Sequence, residues 1–156
     1  MAAGARWWTD DEAVAAWRNV ADAYGPGYIL FSGLEPTEEL PLVAAVLAHH
    51  YGSMATHLNC DLDEFERIVP PDRLELHPTF HPHLWGLEVE GFAARVTRLR
   101  GAGYRVPFCS LVAYPPYVPR LAEYVAGIRA TGAAANVAPA RMCTYQGRRY
   151  PESYTE

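Results

Sequence analysis

Apolar residues along the chain alternate between helical spacing and short continuous runs. Thr9 and Glu12 have the spacing of a capping box, so we expect a helix to begin there. One helical face then carries a set of apolar residues: Val14, Trp17, Ala21 and Tyr24. The helix is predicted to end at residues 25–27, Gly-Pro-Gly, and the apolar run YILF at 28–31 predicts a short buried strand.

The same alternation continues to residue 139. A second helix is expected around Leu42 to Leu47, ended by Tyr51 and Gly52. The later elements are predicted in this order: a strand at 53–59, a brief helix from Asp61, a strand at 73–77, a helix from Val89 to Leu99, a strand at 105–114, a helix at 119–130 and a strand at 133–139. Three proline-rich stretches, at 69–73, 77–83 and 114–119, are predicted to be loops.

The resulting order, α(βα)4β, predicts parallel strands joined by right-handed crossovers, either in an open doubly wound sheet or in part of a barrel. The first helix has no strand before it, whereas each later helix follows one. We therefore expect the α/β class, with residues 1–139 forming a partial parallel (βα) barrel that is TIM-like and lacks its first strand. Residues 140–156 break the pattern and are predicted to be a polar C-terminal tail.

Composition narrows the function classes. The 156 residues suit one domain, and a net charge of -5 without a basic cluster argues against nucleic-acid binding. No apolar run approaches the ~20 residues of a membrane span, and the N-terminus lacks the apolar core of a signal peptide, so a cytoplasmic location is expected. The three cysteines, Cys60, Cys109 and Cys143, are too far apart for a CxxC site and are interpreted as reduced thiols. Cys109 is expected to be buried as a small hydrophobic residue.

The polar stretch that follows YILF raises the question of a ligand site, because ligands bind at the carboxyl ends of parallel strands. Residues 32–36 read SGLEP. In this position they resemble the GGEP-type motif of the radical S-adenosylmethionine superfamily, whose core is a partial (βα)6 barrel. Further segments are similar to the family's later strand ends, namely THLNCDLD at 56–63, LELHPTFHP at 74–82, VTRLRGAGYRVPFCSLVAYPP at 96–116 and AAANVAP at 133–139.

This resemblance implies S-adenosylmethionine as a cofactor and assigns residues to it. Ser32, Gly33, Leu34 and Glu35, with Pro36 closing the motif, would receive the methionine end, and Leu34 replaces the family's second glycine. Asn59 and His77 would make polar contacts near the ribose, and residues 136–139, from Asn136 to Pro139, would line the adenine. Taken alone, Glu35 is better interpreted as a solvated loop carboxylate, and its place in SGLEP after a strand reverses that preference; Asn136 could equally satisfy neighbouring backbone groups.

The family's CxxxCxxC loop, which binds a [4Fe-4S] cluster through three thiolates, is missing from this chain. We therefore interpret the chain as a fragment of a radical S-adenosylmethionine enzyme domain. A complete parent would hold the cluster and cleave the cofactor reductively to a 5'-deoxyadenosyl radical. The chain alone is expected not to be catalytic, and its substrate stays unknown.

Two alternatives come from other classes. His57, His77, His81 and His83 fall near predicted strand ends, as expected for a metal-dependent TIM-barrel-like hydrolase. A non-catalytic binding module is the second alternative, because Trp7, Trp8 and Trp85 lie outside the clearest core patterns. An exposed sheet edge beside YILF also predicts self-association.

Overall fold

The computed structural model describes residues 9–33, 35–86, 88–139 and 143–150, and within them helices and strands alternate. The helices are α1 Asp10–Tyr24, α2 Leu40–Leu47, α3 Leu62–Ile68, α4 Val89–Gly101 and α5 Leu121–Ala130. The strands are β1 Tyr28–Phe31, β2 Tyr51–Thr56, β3 Leu74–Phe80, β4 Phe108–Ala113, β5 Ala134–Pro139, β6 Cys143–Tyr145 and β7 Arg148–Tyr150. Short 3-10 helices at Pro36–Glu39, Pro82–Trp85 and Pro115–Arg120 follow β1, β3 and β4. The predicted order to residue 139 is confirmed.

Strands β1 to β5 form one sheet in their sequence order, and each neighbouring pair is parallel. Parallel crossovers are right-handed, so a sheet that grows in one direction receives its helices on one face. The protein is therefore of the α/β class, with a five-stranded parallel sheet and alternating helices. This arrangement is consistent both with part of a βα barrel and with a Rossmann-like sheet.

The two faces of the sheet differ in burial. On β3 the residues Leu74, Leu76, Pro78 and Phe80 are buried, whereas those between them are half-buried. Because side chains alternate across a strand, one face of β3 belongs to the core and the other carries Glu75 and His77. The core face packs against Phe92, Val96 and Leu99 of α4 and against Tyr124 and Ile128 of α5. The opposite face is available for ligands.

Helix α1 begins as predicted, with a capping box between Thr9 and Glu12. Its apolar face nevertheless contains no buried residue, and Trp17 is 38% and Tyr24 88% exposed. A buried histidine ties the helix to the rest of the fold. His50 accepts a hydrogen bond at Nδ1 from the Gly27 amide at 2.9 Å, and its Nε2–H donates to the Trp17 carbonyl at 2.8 Å.

The predicted boundary at Tyr51 and Gly52 is wrong, because both residues begin β2 rather than ending α2. Glycine at position 52 allows β1 and β2 to approach each other closely. A Cβ there would lie 2.5 Å from the Ile29 carbonyl oxygen and 2.9 Å from the Phe31 ring. Strand β2 also ends at Thr56, so the predicted strand residues 57–59 belong to the loop that follows it.

The predicted loop at 77–83 is also partly wrong, since β3 continues to Phe80. Proline is tolerated at position 78 because the pairing with β4 is interrupted there. The register shifts by one residue between the Glu75–Arg105 bridge and the Thr79–Ser110 pair, which is the signature of a bulge. The alternation of buried and half-buried side chains persists through the proline.

The predicted polar tail contains an antiparallel hairpin of β6 and β7. Gln146 and Gly147 both have positive φ, as a two-residue hairpin turn requires. Residues 140–142 and 151–156 lie outside the described part, as do Trp7 and Trp8. None of the helices in the described ranges is long and apolar enough to cross a membrane.

Candidate functional site

The carboxyl ends of the parallel strands meet at one edge of the sheet, and polar side chains gather there. Strand β1 leads into Ser32 and Gly33, β2 into His57, β3 into His81 and β4 into Tyr114. Ligands of α/β sheets bind outside the carboxyl ends of the strands. This edge is therefore the candidate functional site.

Glu35 joins the end of β1 to the end of β2. Its Oε1 accepts hydrogen bonds from the hydroxyls of Thr37 and Thr56, each at 2.7 Å, and from the Thr37 amide at 3.2 Å. Its Oε2 accepts from the His57 amide at 2.7 Å and lies 3.3 Å from His57 Nδ1. The carboxylate, whose side chain is 13% exposed, thus ties the start of the 3-10 helix after β1 to the end of β2.

These hydrogen bonds determine the charge of Glu35. Burial raises the pKa of this carboxyl, but hydrogen bonds from His57, Thr56 and Thr37 stabilise the anion and hold the pKa below its usual value. Glu35 is therefore ionised at neutral pH, and its negative charge is met by donors of the protein itself.

Thr56 extends the network into the β2 end. Its Oγ1 donates to Glu35 and accepts from the Leu58 amide at 2.9 Å. Leu58 is fully buried and has φ of 56°, a left-handed conformation that is uncommon outside glycine. Backbone strain of this kind persists where surrounding contacts hold it, and the turn places His57 beside Glu35.

Three histidines and a tyrosine form a cluster at the same edge. The His57 and His81 rings are 4.5 Å apart between centroids, and the His81 and His83 rings 5.7 Å. Tyr114 lies 6.4 Å from His81 and 6.0 Å from His83. All four rings follow the carboxyl ends of β2, β3 or β4, so they cover the centre of the candidate site.

His81 is neutral at physiological pH. Burial, His57 and His83 together lower its pKa to about 4, against the opposing effect of Glu35. A neutral imidazole can donate one hydrogen bond and accept another, and it contributes no charge to a bound ligand. His81 thus places a polar and uncharged side chain at the centre of the cluster.

Gly33 leaves the backbone of the motif accessible. Its φ is 129°, and an ideal Cβ would meet no atom within 4 Å. Ser32 and Gly33 are both exposed. The constraint on this position is therefore the backbone conformation, and the open space beside it suits a ligand. Leu34, assigned to the same motif, lies outside the described residues.

A second polar pair lies on the open face of the sheet. His77 Nε2–H donates to Glu75 Oε1 at 2.7 Å, and Arg105 Nη2 lies 3.1 Å from Glu75 Oε2. The His77 ring stacks on Phe108 with centroids 4.5 Å apart. Since Thr79 pairs with Ser110 and Ser110 with Asn136, the assigned Asn136 shares this face with His77.

The other assigned residues lie along the same edge but at separate strands. Asn59 is exposed in the loop after β2, and Pro139 is the exposed last residue of β5. Pro36 is the first residue of the 3-10 helix after β1. The structure therefore brings Glu35 to the β2 end but distributes the remaining assigned residues across the sheet.

Two thiols are described, and they differ in position. Cys60 is half-buried in the loop after β2, where burial raises its pKa. Cys109 is buried within β4 on the core side, where burial raises its pKa to about 12. Among the described residues, no group of three or more His, Cys, Asp or Glu side chains is arranged to hold a metal ion.

Sequence reasoning missed the partners of Glu35. Thr37 stands two residues after Glu35, and Thr56 ends an apolar strand, so a polar residue at each place was a weak local signal. Their convergence on one carboxylate depends on the pairing of β1 with β2, in which Phe31 lies beside Met54. From the sequence, Glu75 and His77 could be seen only as two polar residues that alternate with apolar residues in a predicted strand.

The chain matches no protein-family model, no curated protein and no solved structure. The class of protein therefore follows from the fold and the site alone. It is a parallel α/β protein with a glycine loop, a hydrogen-bonded carboxylate and an imidazole cluster at the carboxyl ends of its strands.

Proposed function

We propose that this chain is a partial (βα) barrel of the radical S-adenosylmethionine type, and that it binds S-adenosylmethionine across the carboxyl ends of its strands. The observation that carries the proposal is the loop at Ser32 and Gly33. Both residues are exposed, Gly33 has a positive φ, and Glu35, two residues further on, is hydrogen-bonded to the end of β2. The sequential strand order supports the barrel interpretation, because a doubly wound sheet reverses its order at a switch point.

The methionine end is assigned to the glycine loop. An ammonium group needs several acceptors, and exposed carbonyl groups of a loop without a Cβ at Gly33 can approach it closely. In the family that the chain resembles, this backbone receives the amino group. Glu35 acts here as a positioning residue, since its oxygens are already engaged by Thr37, Thr56 and His57.

The nucleoside is assigned to the open sheet face. Ribose hydroxyls both donate and accept, which suits Asn59 and the Glu75–His77 pair. The adenine is placed at residues 136–139, where the end of β5 offers exposed backbone and the Asn136 amide. Four strand spacings of about 4.8 Å separate β1 from β5 in a flat sheet, so an extended ligand must lie across the strand ends.

The [4Fe-4S] cluster of the family does not fit this chain. All three cysteines of the chain would have to converge, but Cys109 is buried on the core side of β4 whereas Cys60 lies in the loop after β2. The proposal for the chain as it stands is therefore cofactor binding without reductive cleavage. Among the described residues no metal-holding group supports the hydrolase alternative with His57, His77, His81 and His83.

Gly33→Val tests the assignment against a matched control. Gly25 also has a large positive φ, 83°, and open space around its Cβ, but it lies at the amino end of the sheet. Both valine variants should lose about 1–3 kcal/mol of folding free energy from backbone strain. Only Gly33→Val should weaken S-adenosylmethionine binding, by tenfold or more in a calorimetric titration.

Folded fractions in the titration are checked by circular dichroism at the same temperature. Equal affinity of wild type, Gly33→Val and Gly25→Val would refute the assignment of the loop. Absence of saturable binding to the wild-type chain would refute the proposed function as a whole.

A further inference from the structure

The five-stranded sheet ends in two unpaired strands. Among the described strands, β1 is hydrogen-bonded to β2 alone and β5 to β4 alone. Open edges present unpaired backbone groups that are available to another strand. Each edge also runs in the same direction, because all neighbouring strands of the sheet are parallel.

The outward-facing backbone groups can be assigned by alternation. The Tyr51 amide donates to the Gly27 carbonyl, so the backbone of Leu30, three residues later, points away from β2. On β5, the Ala134 amide donates to the Pro107 carbonyl of the chain before β4. The backbone of Val137, three residues later, therefore points away from β4. Both edges therefore offer donors and acceptors to a parallel neighbour.

Beside β1 there is an apolar groove that lies beneath α1. Its volume is about 490 Å³, and it is bounded by Ala13 and Trp17 of α1, by β1, and by Leu42, Val43 and Val46 of α2. Helix α1 is amphipathic but buries none of its residues. The groove is thus a space between α1, β1 and α2 that no described strand fills.

At the other edge, β5 contacts α5 through its half-buried Ala135, and its other residues are exposed in the described part of the chain. Its sequence AANVAP consists mainly of small residues, and Val137 is 46% exposed. Small side chains let a strand pass beneath a helix at close distance. Strand β5, with its small and mainly apolar side chains, thus suits the apolar groove beside β1.

We propose that two copies of this chain associate so that β5 of each copy pairs in parallel with β1 of the other. A two-fold axis along the strand direction makes both seams at once and closes the two five-stranded sheets into one barrel. The open sheet faces then turn inward, which covers the exposed Tyr28, Leu30 and Tyr51. No edge of the sheet stays open.

Charge favours the parallel seam. The carboxyl end of the groove carries Glu38 and Glu39, and no lysine or arginine is among the described residues that line it. Strand β5 leads within about 14 Å of chain into the hairpin that bears Arg148 and Arg149. A parallel seam brings the carboxyl end of β5, and with it this basic hairpin, towards the acidic end of the partner's groove.

The available area also suits a dimer. At about 200 Å² for a whole aromatic side chain, the exposed parts of Tyr28, Tyr51 and Trp17 amount to about 300 Å² a copy. Leu30, Val137 and the two strand edges add to this in both copies. The three aromatic side chains alone thus supply about 600 Å² over the two copies, towards the roughly 1,000 Å² that a specific interface needs.

Size-exclusion chromatography with light scattering tests the proposal on the full chain. Wild type should have about twice its monomer mass of 17.3 kDa. Val137→Lys and Leu30→Lys, one at each edge, should shift the protein to monomer or weaken the dimer at least tenfold. Val118→Lys and Leu84→Lys make the same changes at exposed sites outside both seams and should stay dimeric.

Circular dichroism of each variant separates loss of association from loss of folding. A monomeric wild type would overturn the proposal. Slow hydrogen exchange of the Leu30 amide in that monomer would mean that the amide is hydrogen-bonded, and would assign the groove to another segment of the same chain. A dimer that survives Val137→Lys but not Leu30→Lys would also overturn it, in favour of two β1 strands pairing with each other.

Discussion

Glu35 is a single carboxylate on which two strand ends depend. Replacing it by glutamine keeps the size but turns one acceptor oxygen into a donor that faces Thr37 and Thr56, or His57. Hydrogen bonds to a charged group are each worth about 1.5–3 kcal/mol, so we expect Glu35→Gln to lower the free energy of unfolding by about 2 kcal/mol at pH 7. Urea unfolding measures this loss.

The pH dependence of that loss has a defined sign. Because the folded state holds the pKa of Glu35 below its usual value of 4.5, its stabilisation is present above that value and disappears as the pH falls through the folded pKa. Wild type and Glu35→Gln should therefore converge in stability in acid. Glu38→Gln, at an exposed neighbour, serves as control, and a loss equal to that of Glu35→Gln would contradict the account.

His81 offers a second titration. Its pKa of about 4 lies below the ordinary 6.5, so the unfolded chain binds the proton more readily and stability falls as the pH drops from about 6.5 towards 4. His57→Ala removes one neighbouring imidazole and should raise the pKa of His81. Nuclear magnetic resonance of the imidazole carbons measures the pKa of His81 in wild type and in His57→Ala. A His81 midpoint near pH 6.5 in wild type would refute its burial in the cluster.

At the scale of elements, Gly52 controls how closely β1 and β2 approach. Gly52→Ala would place Cβ 2.5 Å from the Ile29 carbonyl oxygen, so the strands must separate. We expect a loss of at least about 2 kcal/mol in the free energy of unfolding, measured by urea. Gly101→Ala, at the end of α4 with open space, is the matched control and should be neutral or slightly stabilising.

Equal free energies of unfolding for Gly52→Ala and Gly101→Ala would contradict the close approach of β1 and β2 at Gly52.

Elements could be predicted from the sequence where their signals are local. The capping box needs only Thr9 and Glu12, and the strand signal is the continuous apolar run Tyr28–Phe31. Gly52 was misassigned because glycine often ends helices, and only the neighbouring strand reveals its other use. Pro78 was misassigned because the bulge that accommodates it depends on the register with β4.

At the scale of the whole molecule, the alternation of elements predicted a parallel sheet, and the structure has one. The sequence pattern could not rank the neighbours of each strand, so the sequential order had to come from the structure. It also could not reveal that no residue of α1 is fully buried. Contacts between distant segments, such as Glu35 with Thr56 and His57, share this dependence on strand order.

The most direct test of the central proposal is amide chemical-shift mapping of the full chain during titration with S-adenosylmethionine. We expect saturable shifts at the carboxyl ends of the strands, at Ser32, Gly33 and Asn59 and along β5 at Asn136. Gly25 and Gly103, at the amino end of the sheet, should not shift. Saturable shifts confined to the amino end, or no saturable shifts at any ligand concentration, would contradict the proposed binding of S-adenosylmethionine.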